Sequence, residues 1–80
     1  MKVIDVSKLP IEEVEKIIPR KLKILNMYSE KMVVHGKTVY ILSTLKVEDT
    51  ESGEVYLIKI GDEVVGTNTP AYWLIANRAI

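Results

Sequence analysis

The chain has 80 residues and no formal net charge at pH 7, because its 11 lysines and arginines balance its 11 aspartates and glutamates. A chain of this length forms a single domain, residues 1–80. It buries only about 60% to 65% of the surface that its unfolded form exposes, so its core must be dense. Since there is no cysteine, disulfides, thiolate metal sites and a thiol nucleophile are excluded.

The apolar residues are mostly isoleucine and valine, and phenylalanine is absent. Branched aliphatic side chains favour strands over helices, so we expect a mainly β domain built on an antiparallel sheet or a small barrel. No apolar run approaches the roughly 20 residues of a membrane-spanning helix, and charges and a proline interrupt the N-terminal MKVIDVSKLP. We therefore expect a cytoplasmic protein without membrane contact. Abundant Ile, Val, Lys and Glu without Gln are typical of a thermophilic source.

The first elements are a short segment and a helix. Residues 1–6 are expected to form an edge strand or an ordered arm. Over residues 10–18, Ile11, Val14 and Ile17 recur at intervals of three residues, which predicts a helix with one apolar face. Pro10 suits the first helical turn, where a missing N–H costs nothing, and Pro19 ends the helix.

After Pro19 the apolar pattern changes to a period of two residues, which predicts strands. Residues 21–29 form a long first strand, and the appearance of Leu25 on the lysine side predicts a bend or bulge. Residues 32–34 and 38–47 form a hairpin, since Gly36 can take the positive φ of a tight turn. In the second arm, alternation places Val39, Ile41, Leu45 and Val47 on one face and Thr38, Tyr40, Thr44 and Lys46 on the other.

The rest of the chain predicts a loop at residues 48–53, a strand at residues 55–60, a turn at Gly61 and Asp62, and a short strand at residues 64–65. Thr67, Asn68 and Thr69 followed by Pro70 are typical of a helix start, so residues 71–79 are expected to form a closing helix. The predicted order is a helix, four or five antiparallel strands and a second helix, an α+β fold that is mainly β.

No residue pattern predicts an enzyme. His35 is the sole histidine and lies beside a glycine, so a turn residue is a better interpretation than a metal ligand or a base. Glu48, Asp49 and Glu51 lack the spacing of a calcium loop, and the serines have no base at a recognisable spacing. We expect no catalytic residue, no metal, no cofactor and no small-molecule substrate.

The neutral total conceals a marked charge asymmetry. One acid, Glu30, lies among the basic residues Lys16, Arg20, Lys21, Lys23, Lys31, Lys37 and Lys46, whereas acids dominate from Val47 onward. Lysines are also common on solvated strand faces and on protected edges. Tyr40 on one face with Thr44 and Lys46 favours a polyanion-binding surface, because lysines neutralise phosphates and tyrosine rings stack on bases.

Residues 21–66 resemble the OB-fold group of small single-stranded DNA-binding proteins from archaea, phages and viruses. The resemblance lies in KLKILNMYSE, TVYILSTLKVED, TESG and EVYLIKIG, followed by VVGTNTP before a helix. It implies a small OB-like antiparallel barrel that binds single-stranded nucleic acid without sequence preference. By this resemblance Tyr40 would be the residue that stacks on bases, with Thr44 and Lys46 as its neighbours. The contacts to the nucleic-acid backbone would be Lys21, Lys23, Lys31 and Lys37, and Tyr28 would be a further binding residue.

The alternative hypothesis is a protein-interaction or assembly module, of a kind found in viruses. Tyr72 and Trp73 begin the apolar C-terminal segment, where they would fill the core or form the interface of a homo-oligomer. An exposed aromatic pair that contacts a partner or a base is the other interpretation of these two residues.

Overall fold

The computed structural model describes residues 1–61 and 70–79, except for the side chains of residues 30–32, 34 and 39–42. The fold is α+β and mainly β, as predicted. Its elements in chain order are β1 (Lys2–Asp5), α1 (Ile11–Ile17), β2 (Leu22–Val34), β3 (Lys37–Asp49), β4 (Val55–Lys59) and α2 (Pro70–Arg78). The predictions for the turn at Asp62, the strand at residues 64–65 and the helix-start residues Thr67, Asn68 and Thr69 lie outside the described residues.

The four strands form one sheet in the order β1-β4-β3-β2. β3 pairs antiparallel with both β2 and β4, whereas β1 pairs parallel with β4, from Lys2 opposite Tyr56 to Asp5 opposite Lys59. Of the two alternatives for residues 1–6, an edge strand or an ordered arm, the structure has the edge strand, but the prediction of an antiparallel sheet is wrong at β1. Within the described residues the sheet is open, with β1 and β2 at its edges, and no pairing closes it into a barrel.

The helices agree with the sequence prediction to within one residue at each end. Pro10 has extended backbone angles and precedes α1, and its carbonyl accepts the N–H of Val14. Ile18 has extended backbone angles because it precedes Pro19, and a proline disfavours helical angles in the residue before it. Pro70 is the first residue of α2, and Ala79 beyond its end forms a parallel bridge with Leu22.

The β2–β3 hairpin ends in the predicted tight turn. His35 and Gly36 both have positive φ, 51° and 76°, which is the backbone of a two-residue turn that matches strand twist. One register shift lies between Ile24 and Asn26 and leaves Leu25 without a partner, which confirms the predicted bulge. A second shift leaves Ser43 of β3 unpaired, and strand alternation in the sequence did not predict it.

The core lies between the helices and one face of the sheet. Val14 of α1 and Ile75 of α2 are fully buried with Leu45 and Ile58. Neither helix covers the opposite face, which we call the helix-free face. Alternation and register assign to it Val3, Asp5, Lys23, Asn26, Tyr28, Thr44, Lys46, Glu48, Val55, Leu57 and Lys59.

Arg78 joins the two helices. Its guanidinium donates to the backbone carbonyls of Glu15, Ile18 and Pro19 at 3.1, 3.3 and 3.4 Å. These carbonyls lie at and just beyond the C-terminal end of α1, where helical hydrogen bonds run out and a cation is favourable. Arg78 therefore attaches α2 to the end of α1.

Candidate nucleic-acid interface

A shallow groove of about 440 Å³ lies on the helix-free face, where the hairpin leaves the four-stranded sheet. It is lined by Met1, Tyr28, Ser29, Ser43, Thr44, Lys46 and Leu57. The groove thus brings Tyr28 of β2 together with Thr44 and Lys46 of β3, three of the predicted nucleic-acid-binding residues. Among the described lining residues, Lys46 carries the only charged side chain.

The strand register explains why these side chains meet. Tyr28 on β2 lies directly opposite Thr44 on β3, and Lys46, two residues further along β3, lies between Asn26 and Leu57. Residues two apart on a strand point to the same face, and directly opposite residues share a face. Tyr28 is 43% exposed, so its aromatic side chain is accessible beside a half-buried lysine.

Ser43 borders the groove and forms hydrogen bonds with Tyr28 of β2 and with Ile60, the residue after β4. Its hydroxyl donates to the backbone carbonyl of Tyr28 at 3.3 Å, and its own carbonyl accepts the N–H of Ile60 at 2.9 Å. In the sequence, Ser43 has no base at the spacing of a nucleophile, and no pattern marked it as a site residue. Its place at a β-bulge beside Tyr28 is visible only in the register of the paired strands.

The other described basic residues of the predicted site do not line the groove. Lys23 lies on the same face further back along β2, opposite Glu48. Lys21 is exposed just before β2, and Lys37 is exposed beside the turn at the far end of the hairpin. The described basic residues of the predicted site, Lys21, Lys23, Lys37 and Lys46, therefore occupy separate positions along the hairpin.

Tyr40 and Lys31 lie opposite each other in the backbone register, beyond the bulge at Ser43. Their side chains lie outside the described residues. The bulge interrupts the alternation of β3, so alternation no longer assigns Tyr40 to the face of Thr44 and Lys46. The proposed contacts of Tyr40 and Lys31 with nucleic acid stay predictions.

Several acidic side chains are engaged in local hydrogen bonds away from the groove. The Asp49 carboxylate accepts the N–H groups of Glu51 and Ser52 in the β3–β4 turn. The Glu54 carboxylate accepts the hydroxyl of Tyr56 at 2.7 Å and forms an ion pair with Lys2 at 3.2 Å.

These hydrogen bonds shift the pKa of both partners in the Glu54–Tyr56 pair. The Tyr56 hydroxyl, with Lys2 second, lowers the pKa of Glu54, and the bond to Glu54 raises the pKa of Tyr56. On β1, the Ser7 hydroxyl and N–H lower the pKa of Asp5. All three shifts have structural causes at strand ends, so none indicates a catalytic acid or base.

The remaining titratable groups do not form a metal site within residues 1–61 and 70–79, where no cluster of three or more His, Asp or Glu occurs. His35 is exposed in the hairpin turn, with a left-handed backbone, and this matches the turn residue that the sequence predicted. In the same ranges no helix has the length and apolarity that crossing a bilayer requires.

The aromatic pair of α2 divides between core and surface. The rings of Tyr72 and Trp73 contact edge to face, with centroids 5.3 Å apart. Tyr72 packs against the core, whereas 52% of Trp73 is exposed. Trp73 does not fill the core as one interpretation expected, and its role in an oligomer interface stays a prediction.

Comparisons of the chain with models of protein families, with curated proteins and with solved structures gave no match. The residues of the groove are therefore the basis on which a function can be assigned.

Proposed function

We propose that this domain binds single-stranded nucleic acid, without sequence preference and without a cofactor, in the groove on its helix-free face. The observation that carries the proposal is the meeting of Tyr28, Thr44 and Lys46 in that groove. An exposed ring beside a lysine and a hydroxyl is the combination that holds one base and its phosphate.

Each lining group has a role in this binding mode. The ring of Tyr28 stacks on a base, and Leu57 provides apolar contact on the other side of the groove. Lys46 neutralises a phosphate, and Thr44 can donate to or accept from the ligand. Stacking on Tyr28 requires an exposed base face, which a single strand offers and a stacked duplex does not.

The OB-like barrel implied by the resemblance stays a prediction. Closing the sheet would need further pairing between the edge strands β1 and β2. The proposed site does not depend on closure, because its residues lie mainly on the paired strands β2, β3 and β4. A cytoplasmic location likewise stays a prediction.

Fluorescence anisotropy of a labelled oligothymidylate of about 16 nucleotides tests the proposal, since site sizes of about 4 to 16 nucleotides are known for single OB folds. Titrations at about 50 mM and 200 mM salt should show affinity falling with salt. Lys46→Gln should weaken binding and reduce the salt slope by about 0.7, the value of one phosphate on a single strand. Absence of binding at the lower salt concentration would refute the proposal.

Matched variants test whether oligonucleotide binding depends on the groove rather than on the total charge or on another aromatic residue. Lys16→Gln removes the same charge on α1, where Lys16 pairs with Glu13, and should leave binding unchanged. Tyr28→Ala should cost about 1 to 3 kcal/mol of binding, whereas Tyr28→Phe keeps the stacking ring. If Tyr40→Ala weakens binding and Tyr28→Ala does not, the ligand lies on the hairpin beyond the bulge instead of in the groove.

The exposure of Trp73 favours a second candidate function, association with another copy of the chain through α2. Large exposed aromatic side chains are enriched at protein interfaces. Light scattering over a concentration series should then show a dimer or larger oligomer that Trp73→Ala dissociates. A monomer at every concentration would contradict this candidate, and Glu12→Ala serves as the control, since Glu12 is exposed on the other helix, whereas Asn77 is one turn from Trp73 on the same face of α2.

A further inference from the structure

Ser43 is the extra residue of a β-bulge at the point where three strands meet. The register passes from Tyr28 opposite Thr44 to Ser29 opposite Leu42, so no β2 residue lies opposite Ser43. Pairing between β3 and β4 begins at Thr44 opposite Lys59, one residue after the bulge. Ser43 therefore marks the boundary between the four-stranded sheet and the two-stranded end of the hairpin.

The hydrogen bonds of Ser43 link Ile60, the residue after β4, to the backbone of Tyr28. The Ser43 carbonyl accepts the Ile60 N–H at 2.9 Å, and the Ser43 hydroxyl donates to the Tyr28 carbonyl at 3.3 Å. The second bond is made by a side chain to the residue that carries the exposed ring of the groove. Bulges of this kind are enriched beside functional sites, where they re-aim a side chain.

We propose that Ser43 is a positioning residue of the nucleic-acid site and acts through Tyr28. By holding the Tyr28 carbonyl, the hydroxyl fixes the backbone from which the ring extends into the groove. This inference rests on the proposed function. It assigns Ser43 to the site, although Ser43 carries no charge and the strand pattern of the sequence did not mark it.

A pair of isosteric variants tests the role of the hydroxyl. Threonine and valine have nearly the same shape and both suit strands, but only threonine keeps the hydroxyl. Ser43→Thr should bind a 16-nucleotide oligothymidylate like the parent chain, and Ser43→Val should bind it about 2- to 12-fold more weakly, the range of one hydrogen bond. The salt slope should stay the same in both, because the Lys46 contact is kept.

A double-mutant cycle distinguishes positioning from a general effect on the fold. Ser43→Val should lose most of its effect when it is introduced into Tyr28→Ala, because the ring that it positions is gone. An equal fold-loss in both backgrounds, or equal binding by Ser43→Thr and Ser43→Val, would overturn the inference. Ser43→Ala replaces Ser43→Val in the cycle if circular dichroism shows that the valine variant is unfolded.

The parent chain separates failure of this inference from failure of the proposed function. If the parent does not bind the oligonucleotide at low salt, the proposed function is refuted and Ser43 has no ligand to position. If the parent binds and Tyr28→Ala weakens binding, but the cycle shows no coupling, the function stands and the role of Ser43 is refuted.

Discussion

Replacing Arg78 should destabilise the fold more than replacing any exposed basic residue. Its guanidinium donates to three backbone carbonyls, at Glu15, Ile18 and Pro19, and the Arg78 side chain is itself partly buried. Arg78→Met keeps the apolar stem but leaves these carbonyls without the charged donor. Hydrogen bonds from a charged group contribute about 1.5 to 3 kcal/mol, and the three share one guanidinium, so we expect a loss of about 2 to 3 kcal/mol.

That loss is large for a domain of this size. At about 0.05 to 0.15 kcal/mol per residue, an 80-residue chain has a free energy of unfolding of about 4 to 12 kcal/mol. Each kcal/mol lowers the Tm of such a domain by about 4 to 8 °C, so Arg78→Met should lower it by roughly 8 to 24 °C.

Urea denaturation followed by circular dichroism measures the effect, with Arg20→Met as the matched control. Arg20 is exposed, and its replacement should change the free energy of unfolding by less than about 0.5 kcal/mol. Arg78→Lys should fall between the two, because lysine keeps the charge but cannot reach three carbonyls with one planar group. Equal urea midpoints for Arg78→Met and Arg20→Met would refute the assignment of Arg78 as the link between the helices.

Three further predictions concern the hairpin, a strand-end ion pair and a turn. Lys37→Gln should reduce the salt slope of oligonucleotide binding by about 0.7 if the hairpin tip contacts a phosphate, and a slope equal to that of Lys16→Gln would exclude this contact. The pKa of Glu54 is lowered in the folded chain, so its bond with Tyr56 stabilises the fold fully at pH values above the ordinary carboxyl pKa. This contribution to stability is lost as the pH falls through the lowered pKa and the carboxylate becomes protonated. Tyr56→Phe should therefore reduce the fall in urea midpoint between neutral pH and about pH 3, whereas an unchanged fall would contradict the pairing. Gly53→Ala should lower the free energy of unfolding by about 1 to 2 kcal/mol because Gly53 has a φ of 80°, and Gly53→Asn should lower it less. Equal urea midpoints for Gly53→Ala and the parent chain would contradict the positive φ of Gly53.

Local sequence patterns were sufficient for most of the secondary structure. The three-residue spacing of Ile11, Val14 and Ile17 predicted α1, and prolines marked the starts or ends of both helices. The change of face at Leu25 predicted the first bulge, because alternation is a property of neighbouring residues. Gly36 predicted the hairpin turn for the same local reason, its tolerance of positive φ.

The site required the tertiary structure, because it depends on which strands become neighbours. Tyr28 and Lys46 are 18 positions apart in the sequence, yet the β2–β3 register brings both to one groove, which Leu57 of β4 completes. The bulge at Ser43 interrupts the alternation from which the sequence had grouped Tyr40 with Thr44. Unlike the change of face at Leu25, the apolar residues on either side of Ser43 keep a regular period of two in the sequence, so the sequence of β3 did not show this second bulge.

The sequence by itself determined the class of the fold, its helices and hairpin, and the presence of lysines and tyrosines suited to a polyanion. Only the tertiary structure decided that β1 joins β4 in parallel, that both helices pack on one face, and that Tyr28, Thr44 and Lys46 meet on the other. The physical reason is range: helix periodicity, capping and turn angles act between residues close in the chain. Strand order and register are set by burying apolar faces from distant segments together.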